Sequence, residues 1–444
     1  MHVEIGRDDY QLNKNKRDVP VILDYTSLVN AHMLVLGKSG TGKTTFLKSL
    51  INKFLSRPNA PRIHIMDVHG DIEINGCSSV KFSESTEYGL NPFVVSSDEH
   101  FGGVRKRIQD FIAVVNGTNK LGPRQIAVMR NILTDLYAAN GFFADNPKSW
   151  LLNDGFERKR AKKYPNMDDA CRFSFGKLKQ LMVGGDSKSF VKLEELNKTT
   201  SRIYRNTKNL HKRGQQDEKL LKESLELRTE AISLYKSYIE NLETGKELSD
   251  FIKYESKDLL KSVFDRFENL KEIGIFKCKT PPFDGTTPVW RYDLCALRED
   301  EKRMFVEFRL QEIFASAMER GHIGGGAIRE IIVIDEAHLF FRDDENNIIN
   351  TIAKEGRKFG LGLICASQSP THFSDDFFSN VASKVVLGVD QMYWDNLVKK
   401  MRLDLKLLQF LKPFNVLALQ TSVKEEISAR FTLVKIENSR SNIL

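Results

Sequence analysis

Gly37-Lys38-Ser39-Gly40-Thr41-Gly42-Lys43-Thr44 stands between an apolar run, Met33 to Leu36, and a helical pattern, Thr45 to Phe54. That order is strand, loop, helix. The pattern G-x-x-x-x-G-K-[ST] fixes four positions, and a chance match in a chain of this length has a probability of roughly one in a hundred. Glycines permit positive φ and carry no Cβ, so successive backbone N–H groups can turn inward around an anion. The helix behind them adds free N–H groups and the positive end of its dipole. The loop therefore reads as a cradle for nucleotide phosphates, walled by Gly37, Ser39, Gly40, Thr41 and Gly42. In this reading Lys43 reaches the β- and γ-phosphates of ATP, the Thr44 hydroxyl ligates Mg2+, and Thr45 serves the α-phosphate side.

A second chemical stretch is Glu330-Ile331-Ile332-Val333-Ile334-Asp335-Glu336-Ala337-His338. Four consecutive β-branched residues followed by two acids describe a buried parallel strand that ends in carboxylates at the ligand edge of a sheet. Asp335 is expected to share the Mg2+ with Thr44, and Glu336 to orient or deprotonate the attacking water. No second histidine follows His338 at helical spacing, so a zinc site is not expected there. A third cluster is Glu355-Gly356-Arg357-Lys358-Phe359-Gly360, followed by a strand, Leu361 to Ala366, and Ser367-Gln368-Ser369-Pro370. Gln368 is a candidate sensor of the γ-phosphate. Arg357 is a candidate arginine finger supplied to a neighbour's site, with a surface residue near a helix end as the alternative.

The remaining text sets the frame. The 444 residues can hold two or three domains. No apolar run approaches the roughly 20 residues of a membrane helix, and Met1 to Asn15 is polar, without a signal-peptide core. The five cysteines, Cys77, Cys171, Cys278, Cys295 and Cys365, form no C-x-x-C pair, which fits a reducing cytoplasm. A net charge of +8 is compatible with a nucleic-acid partner without requiring one.

Residues 1–30 read as a short N-terminal β segment, 31–149 as the first part of an α/β core, 150–280 as a helical insert and 281–444 as the second part of the core. In the first part, Ile63 to Asp67 is a strand whose Asp67 lies at the ligand edge, Gly89 to Phe93 is a turn, and Pro123 starts a helix running to about Ala139. In the second, strands are expected at Val289 to Leu294, Lys384 to Val389, Asn415 to Gln420 and Phe431 to Ile436. An amphipathic helix is expected at Glu301 to Arg320 and a glycine-rich loop at Gly321 to Gly326.

Residues 151–280 carry 28 Lys and Arg against 21 Asp and Glu, most of the chain's positive surplus. Asn197 to Gly214 holds Lys198, Arg202, Arg205, Lys208, Lys212 and Arg213 without an acid: a solvated helix face, or a stripe facing DNA phosphates. Leu221, Leu225, Ile232, Tyr235, Ile239 and Leu242 share one apolar face of a long helix, expected to be core or part of a helical hairpin.

The combination of Gly37 to Thr44, Asp67-Val68-His69-Gly70, Leu90-Asn91-Pro92-Phe93, Pro123-Arg124-Gln125, Ile334-Asp335-Glu336-Ala337-His338 and Arg357-Lys358-Phe359-Gly360 with Ala366-Ser367-Gln368 resembles the HerA family of the HerA/FtsK superfamily. The resemblance implies a RecA-like P-loop ATPase core with a mainly parallel sheet flanked by helices. It further implies a homo-oligomeric, hexameric ring and ATP-driven movement along double-stranded DNA, as translocase or helicase. By position, Lys43 and Thr44 match the Walker A residues, Asp335 and Glu336 the Walker B pair, Gln368 the sensor and Arg357 the arginine acting in trans. Partners in the family are nucleases, such as NurA in archaeal end resection, or other effectors in bacterial anti-phage systems. The family usually carries an N-terminal β-barrel that docks partners; residues 1–30 are too few for one, and the helical insert is the candidate replacement. Related ring ATPases of conjugation and secretion share every nucleotide-site residue named here, and an ATP-gated scaffold that assembles an effector complex is a further alternative.

Overall fold

The computed structural model describes residues 1–152, 162–183, 187–213, 218–240, 253–254, 256–324, 327–342 and 347–436. Eleven strands are found among them: β1 (His2–Asp8), β2 (Pro20–Asp24), β3 (Met33–Gly37), β4 (Arg62–Asp67), β5 (Ser78–Lys81), β6 (Val289–Asp293), β7 (Glu330–Ile334), β8 (Leu361–Ser367), β9 (Ser383–Gly388), β10 (Val416–Thr421) and β11 (Arg430–Lys435). They form one sheet in the order β2-β1-β11-β10-β9-β3-β8-β7-β4-β6-β5. From β9 to β5 every pairing is parallel, and from β9 to β2 every pairing is antiparallel. The expected mainly parallel α/β sheet is present. Every residue of β3, β7 and β8 is buried, as the unbroken apolar text of central parallel strands requires. The first thirty residues supply the last two strands at one side of this same sheet, because β1 pairs with both β2 and β11.

The chain divides into two compact units. The first, residues 1–92, 96–103 and 273–444, holds the sheet and its helices. Among these helices are α1 (Asp9–Lys14) and α2 (Lys43–Leu55), whose Phe46, Leu47, Leu50, Ile51 and Phe54 form the buried face.

The second unit, residues 93–95 and 104–272, is helical. It consists of α3 (Val104–Thr118), α4 (Pro123–Ala139), α5 (Met167–Val183), α6 (Ser187–Arg213), α7 (Glu218–Glu240) and α8 (Lys257–Glu272). Its first helix starts at Val104, ahead of residue 150, because α3 packs on α4 and α4 on α8. Phe111 links Phe93 and Phe267 at ring-centroid distances of 4.9 and 6.4 Å. The long helices α6 and α7 pack on each other as a hairpin.

Back in the first unit, α9 (Glu299–Glu319) differs from the amphipathic helix expected there. Met304, Phe305, Val306, Phe308, Leu310, Ile313, Phe314, Ala317 and Met318 are buried on all sides of it, and even Glu307 is buried. A helix covered all round loses the periodic contrast between faces. Of the loop after it, residues 325 and 326 lie outside the described residues.

Candidate active site

In an open parallel sheet, ligands bind beyond the carboxyl ends of the strands. β3, β4, β7 and β8 all deliver chemistry to that edge. An added Cβ at Gly37 would lie 2.5 Å from Thr41 Oγ1, and one at Gly42, where φ is +99°, would lie 2.9 Å from the Phe414 ring. The loop closes only with glycine at both places. Thr41 Oγ1 donates to the Lys38 carbonyl at 2.7 Å, and Lys38 N–H donates to the Gly388 carbonyl at 2.7 Å, tying the loop to the end of β9. Gly42 offers no side chain to cap α2, so the first-turn N–H groups stay open to a phosphate. Ser39, Gly40 and Thr45 are exposed along the same loop and first turn.

Lys43 is buried, with Nζ donating to the Gly37 carbonyl at 2.8 Å and standing 3.7 Å from Glu336 Oε1. Glu336 follows β7 with a left-handed backbone, φ +49°, an uncommon conformation for a residue with a side chain. Its Oε1 accepts from Gln368 Nε2 at 3.0 Å, and its Oε2 stands 3.2 Å from His338 Nδ1. The His338 and His372 rings stack at 5.0 Å. Burial pushes the Glu336 carboxyl up, but the His338 ring, the Gln368 amide and the Lys43 charge outweigh it, and its pKa lies below the ordinary value. Asp335 goes the other way: burial, reinforced by the charges of Glu336 and Asp71, pushes it up to about 6. Adjacent carboxyl groups driven apart in this way are an arrangement that acid–base sites share.

Asp67, Asp71 and Asp335 each bring a carboxylate oxygen within 4.8 Å of the others. Their capacities differ. Asp67 is fully buried and already occupied: it accepts from Gly70 N–H at 2.8 Å and Ile72 N–H at 2.9 Å, and pairs with Arg291 Nε and Nη2, each at 2.8 Å. It shapes the Val68–Ile72 turn. Asp71, exposed, accepts from Thr44 Oγ1 at 3.3 Å. Asp71 and Asp335, with the Thr44 hydroxyl held on Asp71, offer oxygen donors of the kind that suits Mg2+, and among the described residues no histidine or cysteine enters the carboxylate cluster. Asp71 is the residue that the sequence reading passes over; its signal was a second acid four residues beyond Asp67 at the same strand end.

Arg357 is not at this edge. It lies in the turn before β8, whereas Gln368 follows β8, and it borders Tyr25, Asn30 and Ala31 near the amino end of β3. Its side chain is exposed and has no ion-pair partner among the described residues. In the helical unit, Lys198, Arg202, Arg205 and Lys208 are exposed along α6, with Arg202 Nη2 3.9 Å from Glu223. The Lys212 and Arg213 side chains and Gly214 lie outside the described residues. Leu221, Leu225, Ile232, Tyr235 and Ile239 are exposed on α7 rather than in a core, and Leu242 lies outside the described residues.

The family model described as "Helicase HerA, central domain" matches residues 11–288. The chain belongs to the HerA central-domain family. The match ends before Asp335, Glu336 and Gln368, which the fold brings to the same edge as the matched Gly37–Thr44 loop. The DNA double-strand break repair helicase HerA of Saccharolobus solfataricus is 34% identical over 102 residues, 22% of this chain and 20% of that protein. The chain thus aligns with only about a fifth of this HerA relative's length. VirB4 of Thermoanaerobacter pseudethanolicus shares the fold with a TM-score of 0.61 at 15% identity, over 99% of this chain and 97% of that one. The plasmid coupling protein TrwB in complex with ADP and Mg2+ does so with a TM-score of 0.51 at 12% identity, over 99% and 95%. The expected RecA-like P-loop fold of the HerA family is therefore present. No helix among the described residues is long and apolar enough to cross a membrane.

Proposed function

We propose that this HerA-family chain hydrolyses ATP to drive movement along double-stranded DNA, as a homo-oligomeric ring with shared sites. The observation that carries the reading is Glu336, held ionised between Lys43, Gln368 and His338 at the edge where the phosphate loop opens. A protein that only binds nucleotide has no use for a buried carboxylate set beside the phosphate-binding lysine. Glu336 accepts the proton of the attacking water; Gln368, hydrogen-bonded to it, reports the state of the γ-phosphate. Lys43 exchanges the Gly37 carbonyl for phosphate oxygens. Thr44, Asp335 and Asp71 would hold Mg2+, which would supply charge neutralisation on the phosphates. TrwB in complex with ADP and Mg2+ supports this pairing by fold.

Arg357, on the far edge of its own sheet, acts on a neighbouring copy. The exposed Lys198, Arg202, Arg205 and Lys208 contact DNA phosphates, and the ring works with a nuclease or other effector in DNA end processing or anti-phage defence.

The test is the steady-state ATPase rate with and without linear duplex DNA, for wild type and Arg357→Ala, with the assembly state recorded alongside. Strong stimulation by DNA in a ring, falling by about 10^3-fold or more in the variant, supports the translocase. An unstimulated rate favours the secretion-type motor or the ATP-gated scaffold.

A further inference from the structure

The phosphate loop follows β3, with β8 and β7 on one side of it and β9 and β10 on the other. Asp335 and Glu336 follow β7 and Gln368 follows β8. A triphosphate whose terminal group meets them runs across the loop away from that side, so its sugar and base leave toward β9 and β10. The side that the hydrolytic residues leave empty carries an aromatic ring.

That ring is Phe414. β10 runs antiparallel to β9, which brings the turn ahead of it, Lys412 to Val416, to the edge where the phosphate loop opens. The turn is closed by its own backbone: Lys412 N–H donates to the Val416 carbonyl at 3.0 Å, and Val416 N–H to the Lys412 carbonyl at 2.9 Å. It is also tied to its surroundings. The Asn415 carbonyl accepts from Ile436 N–H at 2.8 Å, just past β11, and Phe414 N–H donates to the Thr41 carbonyl of the phosphate loop at 3.4 Å. Held from these sides, Phe414 has φ +58°, a left-handed backbone that is strained for a bulky side chain. Strain of this kind persists only where the surroundings over-determine it, and it gathers at ligand clamps. Five non-glycine residues among those described have positive φ; two of them, Glu336 and Phe414, stand at the nucleotide edge on opposite sides of β3.

The strained turn sets the ring over Gly42. Phe414 Cδ1 and Cε1 lie 2.9 and 3.0 Å from where a Cβ on Gly42 would stand. Phe414 is half-buried, unlike the phenylalanines that fill the core, and keeps surface beside the uncapped first turn of α2.

We propose that the Phe414 ring is the platform on which the nucleotide base stacks, favouring the wide π face of a purine over a pyrimidine. Stacking recognises a base without hydrogen bonds, and a platform fixed by its own backbone is in place before the ligand arrives. This role for Phe414 rests on the nucleotide site proposed above.

The test uses the full chain with Mg2+ and titrates ATP, CTP and inorganic tripolyphosphate, which carries phosphates but no base. Phe414→Gly removes the ring and suits the left-handed backbone. It is expected to weaken ATP binding by about 5- to 100-fold, CTP binding less, and tripolyphosphate binding not at all. Phe414→Trp is expected to keep the affinity for ATP, and the fluorescence of its added tryptophan to be quenched by ATP and not by tripolyphosphate. Equal weakening of ATP and tripolyphosphate in Phe414→Gly overturns the proposal, because the ring would then only shape the loop. Unchanged ATP affinity, or CTP weakened as much as ATP, overturns it too. Wild type that binds neither ATP nor tripolyphosphate overturns the nucleotide site itself, and the role of Phe414 with it.

Discussion

At the carboxyl edge of the sheet Lys43, Asp335 and Glu336 are 8%, 3% and 5% exposed, whereas on α7 Leu225 and Ile232 are 68% and 71% exposed. The first region holds charges out of water, and the second holds hydrocarbon in it. Both arrangements carry a free-energy cost in the isolated chain, the first through desolvation and the second through unburied apolar area. The difference teaches where each cost is recovered. Lys43 and Glu336 stand against each other, and Glu336 is held further by Gln368 and His338, so this part of the site stands largely preorganised. The α7 stripe has no such internal compensation among the described residues.

The sharpest way to break the contrast is at Glu336. Glu336→Gln keeps shape and hydrogen-bonding capacity but removes the proton acceptor, and is expected to lower kcat by about 10^2- to 10^4-fold with little change in nucleotide affinity. Parallel turnover and binding titrations check it; equal losses in both would show that the residue only supports the loop.

Next in size is Arg291→Met, which leaves Asp67 buried without its cation and is expected to cost about 3–5 kcal/mol in denaturant unfolding. Asp335→Asn should do the opposite. With its folded pKa raised to about 6 from 3.8, Asp335 binds its proton more tightly in the native state. The group therefore favours the fold below pH 4, and that benefit is lost as pH rises through 6. At pH 8 the amide is expected to raise stability by about 3 kcal/mol while Mg2+-dependent nucleotide affinity falls. If instead the variant were destabilised at pH 8 and not at pH 4, the burial argument would fail.

The smallest effect separates the two faces of one helix. Leu227→Ala, on the α6 side, is expected to cost about 2–5 kcal/mol, and Leu225→Ala, on the outer stripe, less than about 0.5 kcal/mol. Matching losses would mean that the outer stripe is covered in the folded chain.

The nucleotide edge was legible because its chemistry is local in the chain. Gly37–Thr44 and Glu330–Glu336 each carry strand, turn and reactive group in one short stretch, so reading the period of the strand places the side chain. Asp71 escaped because its role depends on Thr44, 27 residues away, and Asp67 promised more than it offers because the guanidinium that occupies it comes from position 291. Periodicity failed in two opposite ways. On α9 burial all round removed the contrast between faces, and on α7 a well-formed apolar face was present without a covering element. Period tells which residues share a face; it does not tell whether that face meets protein or water. Likewise the helix expected at Pro123 to about Ala139 reads as part of the core, and its packing on α3 and α8 assigns it to the helical unit.

Arg357 and the phosphate loop occupy opposite ends of parallel neighbours, β8 and β3. Seven residues of strand span about 23 Å, well beyond the reach of one arginine side chain. If the guanidinium completes a site, that site belongs to no single molecule. Specific activity would then climb with protein concentration until assembly saturates. Blending wild type with inactive Arg357→Ala chains would depress turnover by more than simple dilution, because each defective copy also silences a sound neighbour. In a cell, one damaged allele would behave as a dominant one.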